Sequence, residues 1–493
     1  MNVVHLPVLQ VVLPLLAAPL CLLLRGAEAC WRLALSVSWI SLVSAVILLD
    51  HVSRLGPLHY ALGGWPAPYG IAYTIDPCNA FFLLLVTLIT AVVMLYARAS
   101  VLAELGAEQA YLGYALIMLW LAGLLGILAT ADAFNVFVFL EISSLASYVL
   151  VGQGAKRQAL TASLQYLIMG TLGGTFILIA IGFLYAATGT LNMADLATRL
   201  PAAQGSRTVQ VALAFFLVGV SLKLALFPLH LWLPNAYAQA PSVVSALLAA
   251  TSTKVAIYVL LRFLFNVFGL SLARHGLPLA PLLGILAGTA IVVASFTAIF
   301  QTDCKRLFAY SSIAQIGFIM LGVALFSQAG LMAALLYLFN HALAKGTVFL
   351  ALGCVYYRLH SVQVEDMAGL GRRMPWTMAA LVIAGLSLIG VPATAGFVSK
   401  WYLVLALLDR GFWPLALLAL GGSLLTAIYV WRVIEKAYLH EPAAIHLTVR
   451  EAPLSMLLPT WLLALANIYF GLHGSLPVQG ATRAAAQLLA AML

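Results

Sequence analysis

Long apolar runs divide this chain, and they restrict its fold more than any other feature. A helix needs about 20 apolar residues to cross the roughly 30 Å of hydrocarbon in a bilayer. Only 8% of the 493 residues are charged and 64% are hydrophobic, whereas a water-facing surface needs roughly a quarter or more charged residues. Each run is also about twice as long as a barrel strand and lacks strand alternation. The sequence therefore predicts an all-α polytopic membrane protein.

We predict about fourteen transmembrane helices. The apolar runs lie at residues 6–24, 31–49, 77–97, 111–130, 133–151, 160–187, 208–228, 241–265, 278–300, 307–326, 330–356, 376–408, 412–434 and 453–472. The twelfth run is too long to be a single unbroken helix. An even number of spans places both termini on the same side of the membrane.

Lysine and arginine residues are unevenly distributed between the predicted loops. Thirteen of the 24, Lys305 among them, follow odd-numbered helices, and seven, Arg262 and Arg274 among them, lie in the other loops. Positively charged loops stay in the cytoplasm, so we expect both termini on the outer side of a bacterial inner membrane. The net charge of +9 reflects this topology, since no dense basic run with interleaved aromatic residues indicates nucleic acid.

The remaining four lysines fall inside predicted helices: Lys223, Lys254, Lys345 and Lys400. A lysine near the bilayer centre costs at least about 2.5–3.5 kcal/mol. One alternative is that each lysine extends its ammonium to the interface. Four such residues favour a buried polar path instead, in which each desolvated amine takes up and releases a proton.

Glu141 is the only acidic residue that we place in the middle of a predicted helix. A carboxylate close to a lysine favours the charged form of both groups. Separating Glu141 from Lys223 would therefore release a proton, and the two residues form a candidate switch. A static structural ion pair is the alternative.

One predicted helix carries Tyr337, His341 and Lys345 at intervals of four residues. Such residues lie on the same helix face, about 6 Å apart along the axis. This spacing is typical of a proton relay, although a lone buried histidine is more often a satisfied core residue. Metal binding is not indicated, because no second His, Cys or carboxylate shares this face.

Two of the lysines are close to helix breakers, Lys223 before Pro228 and Lys400 after Pro392. Proline removes a backbone donor, and inside a membrane the freed carbonyls need side chains or water. The interruptions fall in the seventh and twelfth helices, five spans apart, and an odd repeat length inverts the second copy. Paired interruptions of this kind indicate an inverted-repeat transporter.

Segments 217–258 and 303–322 resemble the antiporter-like membrane subunits shared by respiratory complex I, membrane-bound hydrogenases and Mrp-type multisubunit Na+/H+ antiporters. Segments 141–148, 339–353 and 389–403 extend the resemblance over most of the chain. It implies fourteen helices with inverted five-helix repeats at helices 4–8 and 9–13. The implied organisation is a three-helix segment at 1–110, a first proton half-channel at 111–265, a second at 266–437, and a C-terminal helix with a short tail at 438–493.

The resemblance also implies a proton path and two auxiliary candidates. The path positions are Glu141, Lys223, Lys254, His341, Lys345 and Lys400, and the auxiliary candidates are His230 and Tyr337. One branch of the family carries glutamate in place of Lys400, and its largest complex I member has a long lateral helix after the last span. Both branches are disfavoured here, since this chain has Lys400 and only about twenty residues after Leu472. The D-type subunit of an Mrp antiporter is favoured, because it is similar in length and in its AYSSIAQIGF segment.

The resemblance therefore implies a proton-translocating subunit of a multisubunit Na+/H+ antiporter, with other membrane subunits as partners and Na+ as a candidate coupled ion. Two alternatives remain: a proton-pumping membrane subunit of an NADH:quinone oxidoreductase or membrane-bound hydrogenase, and a membrane subunit of an inorganic-carbon uptake complex. No cofactor is predicted, since Gly152-Gln-Gly154 lacks a third glycine and Lys345-Gly-Thr is out of order for a P-loop. The sequence leaves open whether the chain serves a redox-driven enzyme complex.

Overall fold

The computed structural model describes residues 3–203, 205–269, 278–441 and 449–490, which are almost entirely helical. Thirteen helices in these ranges are long and apolar enough to cross a membrane. Two shorter helices, Pro375–Ile389 and Ala395–Asp409, together make a further crossing. The chain is thus an all-α, multi-pass membrane protein, as predicted. Arg274, one of the loop residues used to predict the orientation, lies outside the described residues.

We number the crossings α1 to α14 and divide the two interrupted ones into halves. Their bounds are Val3–Leu24 (α1), Ala27–Leu55 (α2), Pro77–Glu104 (α3), Ala110–Ala129 (α4), Ala133–Gly152 (α5), Gln158–Thr188 (α6), Arg207–Leu224 (α7a), Trp232–Gln239 (α7b), Ser242–Val267 (α8), Leu279–Ile299 (α9), Cys304–Val323 (α10), Gln328–Leu359 (α11), Pro375–Ile389 (α12a), Ala395–Asp409 (α12b), Trp413–Leu439 (α13) and Leu454–Leu472 (α14). A last helix, α15, follows at Ser475–Ala490. A short hairpin of β1 (Leu58–Ala61) and β2 (Ala72–Ile75) joins α2 to α3.

The helices differ in the fraction of their apolar residues that neighbouring helices bury. The apolar part of α11 is entirely buried, and those of α8 and α10 nearly so, whereas α2, α6, α13 and α14 leave most of theirs open to lipid. Buried polar residues concentrate on the enclosed helices, Lys254 on α8, Gln315 on α10 and Lys345 on α11 among them. The centre of the bundle is therefore where a polar path can run without contacting lipid.

Both predicted helix interruptions are present. The chain leaves helical geometry after Leu224, with Ala225 at φ 56°, and again at Gly390, with φ 88°. Pro228 and Pro392 lie within these two breaks. Broken helices inside a membrane require other donors for the freed carbonyls, and the Trp232 indole donates to the carbonyl of Leu222 at 2.9 Å. The seventh crossing therefore ends its first half four residues earlier than the apolar run predicts.

A recurring backbone contact relates helices 4–8 to helices 9–13. The amide of Ala133, at the start of α5, donates to the carbonyl of Leu191 at 2.8 Å, and the amide of Cys304, at the start of α10, donates to that of Val362 at 2.9 Å. Both members of the second contact lie 171 residues after those of the first. Because five crossings separate the two contacts, they lie on opposite sides of the membrane, as inverted repeats require.

The segment after Leu472 differs from the short tail that we predicted. It forms the helix α15, whose alanine- and leucine-containing face is buried at Ala481, Ala484 and Leu488. This face packs against α3 and α11, and the Asn266 amide donates to the carbonyl of Leu488 at 3.2 Å. The segment is too polar overall to be recognised as a span, although its apolar residues recur at helical spacing.

Candidate functional site

Lys223 and Glu141 form the predicted ion pair. The Lys223 ammonium, at the end of α7a, lies 2.9 Å from the Glu141 carboxylate on α5 and 2.9 Å from the Ser144 hydroxyl. Only 7% of the lysine side chain and 22% of the glutamate side chain are exposed. The lysine also lies at the carboxyl end of its helix segment, where the helix dipole favours a cation.

Glycines on α6 make room for this pair. A Cβ at Gly174 would overlap the Glu141 carboxylate, and one at Gly173 would lie 2.9 Å from the carbonyl of Gly219 on α7a. The close approach of α6 to α7a therefore depends on small residues, as is common between membrane helices. It holds the carboxylate against the lysine from the side that faces α6.

A cavity of about 40 Å³, lined by polar and apolar side chains, lies beside the pair. Lys223 and Ser147 line it from one side, and Ser252 of α8 and Trp120 line it from the other. A buried site needs about 10–15 Å³ and several polar partners to hold a water molecule, so this cavity has room for a small water cluster. It leads from the ion pair to the part of α8 that carries Lys254.

Lys254, His341 and Lys345 form the middle of the candidate site. Lys254 follows the π-helical turn Leu248–Ser252 and donates to the carbonyl of Ala249. Lys345 donates to the carbonyl of Phe308 at 2.7 Å and to the hydroxyl of Ser311 at 2.9 Å. Among the described residues, neither ring nitrogen of His341 has a hydrogen-bond partner, so its ring is available to exchange a proton.

The Lys400 side chain contacts the break between α12a and α12b. Its ammonium donates to the carbonyls of Leu388 at 2.9 Å and Ile389 at 2.8 Å, the last two residues of α12a, and to the Ser423 hydroxyl at 2.8 Å. A Cβ at Gly390 would lie 2.7 Å from its Cδ atom. The break thus supplies both the acceptors and the space for the side chain.

The four lysines differ in their partners. Across the parts of the chain that the structure describes, only Lys223 has a carboxylate within 4 Å, while the other three donate to carbonyl and hydroxyl oxygens. All four head groups lie inside the bundle, which the interfacial alternative does not explain. A buried ammonium without a counter-charge is costly, so the three unpaired lysines are suited to the neutral form.

The two auxiliary candidates differ in their surroundings. The Tyr337 hydroxyl donates to the Gln315 side chain, and its ring stacks at 5.6 Å on Phe318, whose ring in turn lies 4.8 Å below the Lys400 ammonium. His230 lies in the α7 break with its ring 5.1 Å from that of Phe227. Tyr337 therefore belongs to the surroundings of Lys400, whereas His230 lies in a separate part of the break.

Two buried basic residues lie in helices rather than in the loops that the sequence predicts for them. Arg262 lies in α8 and pairs with Asp76 through contacts of 2.7 and 2.9 Å. Lys305 is the second residue of α10 and only 3% exposed. A signal was available for Lys305, since the Asp303 side chain caps the helix and an N-cap aspartate predicts that helix residues follow at once.

Comparison with known proteins identifies the family. A family model described as NADH:quinone oxidoreductase/Mrp antiporter, TM, matches residues 130–426, more than half of the chain. The N-type subunit of the NADH-quinone oxidoreductase of Desulforudis audaxviator is 42% identical over 489 residues, covering 95% of this chain and 96% of the relative. The D-type subunit of the Na+/H+ antiporter of Alkalihalophilus pseudofirmus is 30% identical over 437 residues, covering 88% and 87%.

A solved structure agrees with these relatives. The chain superposes on one in the Mrp complex of Dietzia sp. DQ12-45-1b with a TM-score of 0.91 and 26% identity, over 99% of this chain and 98% of the other. The resemblance seen in segments 217–258 and 303–322 is thereby confirmed. The chain belongs to the transmembrane family of NADH:quinone oxidoreductase and Mrp antiporter subunits.

Proposed function

We propose that this chain is the proton-translocating membrane subunit of a multisubunit Na+/H+ antiporter. The observation that carries the proposal is the series of buried lysines that leads from the α7 break to the α12 break. A relative named as the D-type subunit of an antiporter and the fold shared with a chain of an Mrp complex support the antiporter assignment. The described groups offer amines, a carboxylate and an imidazole, all of which exchange protons.

In the first half, residues 111–265, the ion pair controls the proton. While Glu141 lies 2.9 Å from Lys223, the carboxylate stabilises the protonated lysine. If the pair opens, the buried ammonium loses its counter-charge and donates its proton to water in the adjacent cavity. Opening and closing of this pair is therefore the proposed switch.

In the centre, three groups pass the proton between the halves. Lys254 and Lys345 lie on facing helices, and His341 is four residues from Lys345 on α11. Within the part of the chain that the structure describes, the acceptors of each amine are oxygen atoms that carry no charge. A proton that arrives on one of them is not trapped by a carboxylate, which suits transfer onward rather than storage.

In the second half, residues 266–437, Lys400 is the terminal group. Its oxygen acceptors at the α12 break bind the ammonium while it is charged. Irregular backbone within a membrane also admits water where it lines a cavity. From Lys400 the proton would leave towards the side of the membrane on which residue 3 lies.

The proposal extends to partners and location. We expect other membrane subunits as partners, because one relative is named as a subunit of an antiporter and the superposed chain belongs to a named complex. We place the protein in a bacterial inner membrane with both termini on the outer side, on the strength of the loop charges. A thiol at an added C-terminal cysteine that reacts only from the cytoplasmic side would contradict this orientation.

A second candidate function is proton pumping in a redox-driven complex. The relative with 42% identity is named as a subunit of an NADH-quinone oxidoreductase, and its identity exceeds that of the antiporter relative. In that case the proton path would be the same, but electron transfer in other subunits would drive it. Purification from the native membrane would separate the two candidates, because only the second requires co-purifying redox subunits.

The test of the proposed function is transport by the purified complex in proteoliposomes. We expect a Na+ gradient to drive proton flux, read by a trapped pH-sensitive dye, and Lys223→Ala to abolish it while the complex still assembles. Lys223→Arg should fail as well, since guanidinium stays protonated. Proton flux that follows quinone reduction but not a Na+ gradient would overturn the antiporter assignment in favour of the second candidate.

A further inference from the structure

Lys305 is a buried lysine for which the proton path described above has no role. Its ammonium donates to the carbonyl of Ala240, at the end of α7b, at 3.1 Å and lies 5.3 Å from the ring centre of Tyr356. Only 3% of the residue is exposed. The lysine lies at the end of α10 opposite to residue 3, on the side that we propose faces the cytoplasm.

A small polar cavity adjoins the Lys305 head group. It has a volume of about 30 Å³ and its polar lining includes Glu104, Lys156, Asp303 and Tyr356. This volume exceeds the 10–15 Å³ that one water molecule needs. Lys156 belongs to the exposed loop between α5 and α6, so the cavity lies directly under a loop that contacts the aqueous phase.

The groups around this cavity act on Lys305 in opposite directions. The nearby Glu104 and Asp303 carboxylates favour its charged form, and Lys156 opposes it. The lysine occupies the first turn of α10, where the positive end of the helix dipole disfavours a cation. The Glu104 carboxylate is held at the start of α8 by the Ser242 amide at 2.9 Å and by the Ser100 hydroxyl at 2.7 Å. Within the described ranges it forms no ion pair with Lys305 at 4 Å or less.

One face of α10 connects Lys305 to the second half of the proton path. Its members recur at intervals of three or four residues, which places them on the same side of a helix. They are Lys305, Phe308, Ser311, Gln315 and Phe318.

Each later member of this face contacts a group of the path. Lys345 bonds the Phe308 carbonyl and the Ser311 hydroxyl, which also bonds the Tyr429 hydroxyl at 2.8 Å. Gln315 accepts from Tyr337, and the Phe318 ring lies under Lys400. The face thus runs from the Lys305 cavity at one membrane surface to Lys400 in the second broken helix.

We propose that Lys305 is the residue through which the second half of the path takes up protons from the side opposite to residue 3, with this face of α10 as the route to Lys345. This inference rests on the proposed function, since it presumes that Lys345 and Lys400 carry protons. It adds an entry point that is separate from the ion pair of Glu141 and Lys223.

The neutral Lys305 amine forms an N–H bond with a proton from hydronium in the cavity and leaves water behind. The same bond then breaks as the neutral Lys345 amine accepts the proton, directly or through a water molecule. Lys345 bonds the carbonyl of Phe308, which lies less than one helical turn, about 5.4 Å, from Lys305 along α10. A lysine side chain that pivots about its Cα covers that distance.

Three variants separate a proton carrier from a structural cation. We expect Lys305→Met and Lys305→Arg each to lower Na+-driven proton flux at least tenfold in proteoliposomes, while the complex still assembles. Arg306→Met is the matched control, because it removes the same charge from an exposed neighbour and should leave flux unchanged. If Lys305 only caps α7b, arginine preserves that contact, and wild-type flux in Lys305→Arg would overturn the proposal.

Chemical rescue gives a second and independent test. We expect Lys305→Cys to be inactive and to regain flux after 2-bromoethylamine, which rebuilds a lysine-like amine, but not after (2-bromoethyl)trimethylammonium, which adds a fixed charge. The five native cysteines are buried, which favours selective modification. Equal rescue by both reagents would overturn the proposal. So would failure of the introduced thiol to react when the mass of the variant is measured, because the cavity would then give no access.

The outcome for the wild-type complex separates this inference from the proposed function. If the wild type shows no Na+-driven proton flux, the proposed function fails. If the wild type transports and Lys223→Ala does not, but Lys305→Met transports at the wild-type rate, only the role of Lys305 fails.

Discussion

The two broken helices carry equivalent lysines in different electrostatic surroundings. Lys223, before the break in α7, has the Glu141 carboxylate at 2.9 Å. Lys400, after the break in α12, has two backbone carbonyls and the Ser423 hydroxyl. Among the described residues, the helix break thus occurs beside both lysines, but a carboxylate counter-charge lies beside only one of them.

This difference sets which protonation state each lysine favours. A carboxylate stabilises the charged ammonium of Lys223, so in the proposed path the first site holds its proton until the pair opens. Without such a partner, burial disfavours the charged form of Lys400. A proton therefore resides more readily in the first half than in the second, and movement of Glu141 can change that order.

Removal of Lys223 is the strongest test of this comparison. We expect Lys223→Met to abolish proton flux and to lower stability, since breaking a buried pair by removing one partner costs about 3–5 kcal/mol. The partial exposure of Glu141 places the loss at the low end of that range. Flux in proteoliposomes and the melting temperature in detergent measure the two effects.

A double variant is the control for the unpaired carboxylate. Glu141→Gln combined with Lys223→Met should recover most of the lost stability but none of the flux. If Lys223→Met alone is as stable as the double variant, the unpaired Glu141 carboxylate is not destabilising. That result would contradict a buried ion pair.

Removal of Lys400 should affect flux as much as removal of Lys223. Lys400→Met leaves two carbonyls without this donor, a loss of about 1–3 kcal/mol per unsatisfied group, and exposes no opposite charge. Lys400→Glu should retain little flux, because an ionised carboxylate faces carbonyl oxygens to which it has no proton to donate. Wild-type flux in Lys400→Met would show that the path ends elsewhere.

Much of this arrangement followed from the sequence for a physical reason. Inside a membrane each charged residue needs a partner, and Glu141 was the only acidic residue assigned to mid-span, so its contact with Lys223 was predictable. The breaks at Pro228 and Pro392 were equally predictable, since proline interrupts the helical bonding.

The remaining features depend on groups that leave no pattern in a sequence. The acceptors of Lys345 and Lys400 include backbone carbonyls, which every residue carries. The space for Glu141 comes from Gly174, one of 38 glycines in the chain. Lys305 was missed because α10 begins at Cys304, three residues before the apolar run, where a polar sequence resembles a loop.

A glycine substitution sharpens the comparison without changing any charge. We expect Gly174→Ala to displace the Glu141 carboxylate and to reduce flux about tenfold, because overpacking typically costs about 1–3 kcal/mol. Gly182→Ala is the matched control on the same helix, since nothing lies within 4 Å of a Cβ there. Equal flux in the two variants would mean that the distance between Glu141 and Lys223 does not limit transport.

The smallest expected effects test whether the scaffold itself is repeated. Asp132 caps α5 by accepting from the Asn135 amide at 2.7 Å, and Asp303 caps α10 by accepting from the Arg306 amide at 2.9 Å. The two residues are 171 positions apart, like the contacts that relate the repeats. Burial raises the pKa of both carboxyls above the usual value for aspartate.

Because the folded-state pKa of each carboxyl is raised, its stabilising contribution is complete below the unfolded pKa of about 4 and is lost as the pH rises through the folded pKa. Asparagine keeps the capping oxygen and does not ionise. Asp132→Asn and Asp303→Asn should therefore each leave the free energy of unfolding at pH 7 unchanged or raise it by less than about 1 kcal/mol. The melting temperature should report this difference, which should disappear below pH 4. A stabilising effect at one position and a loss at the other would show that the caps, like the lysine sites, have diverged between the halves.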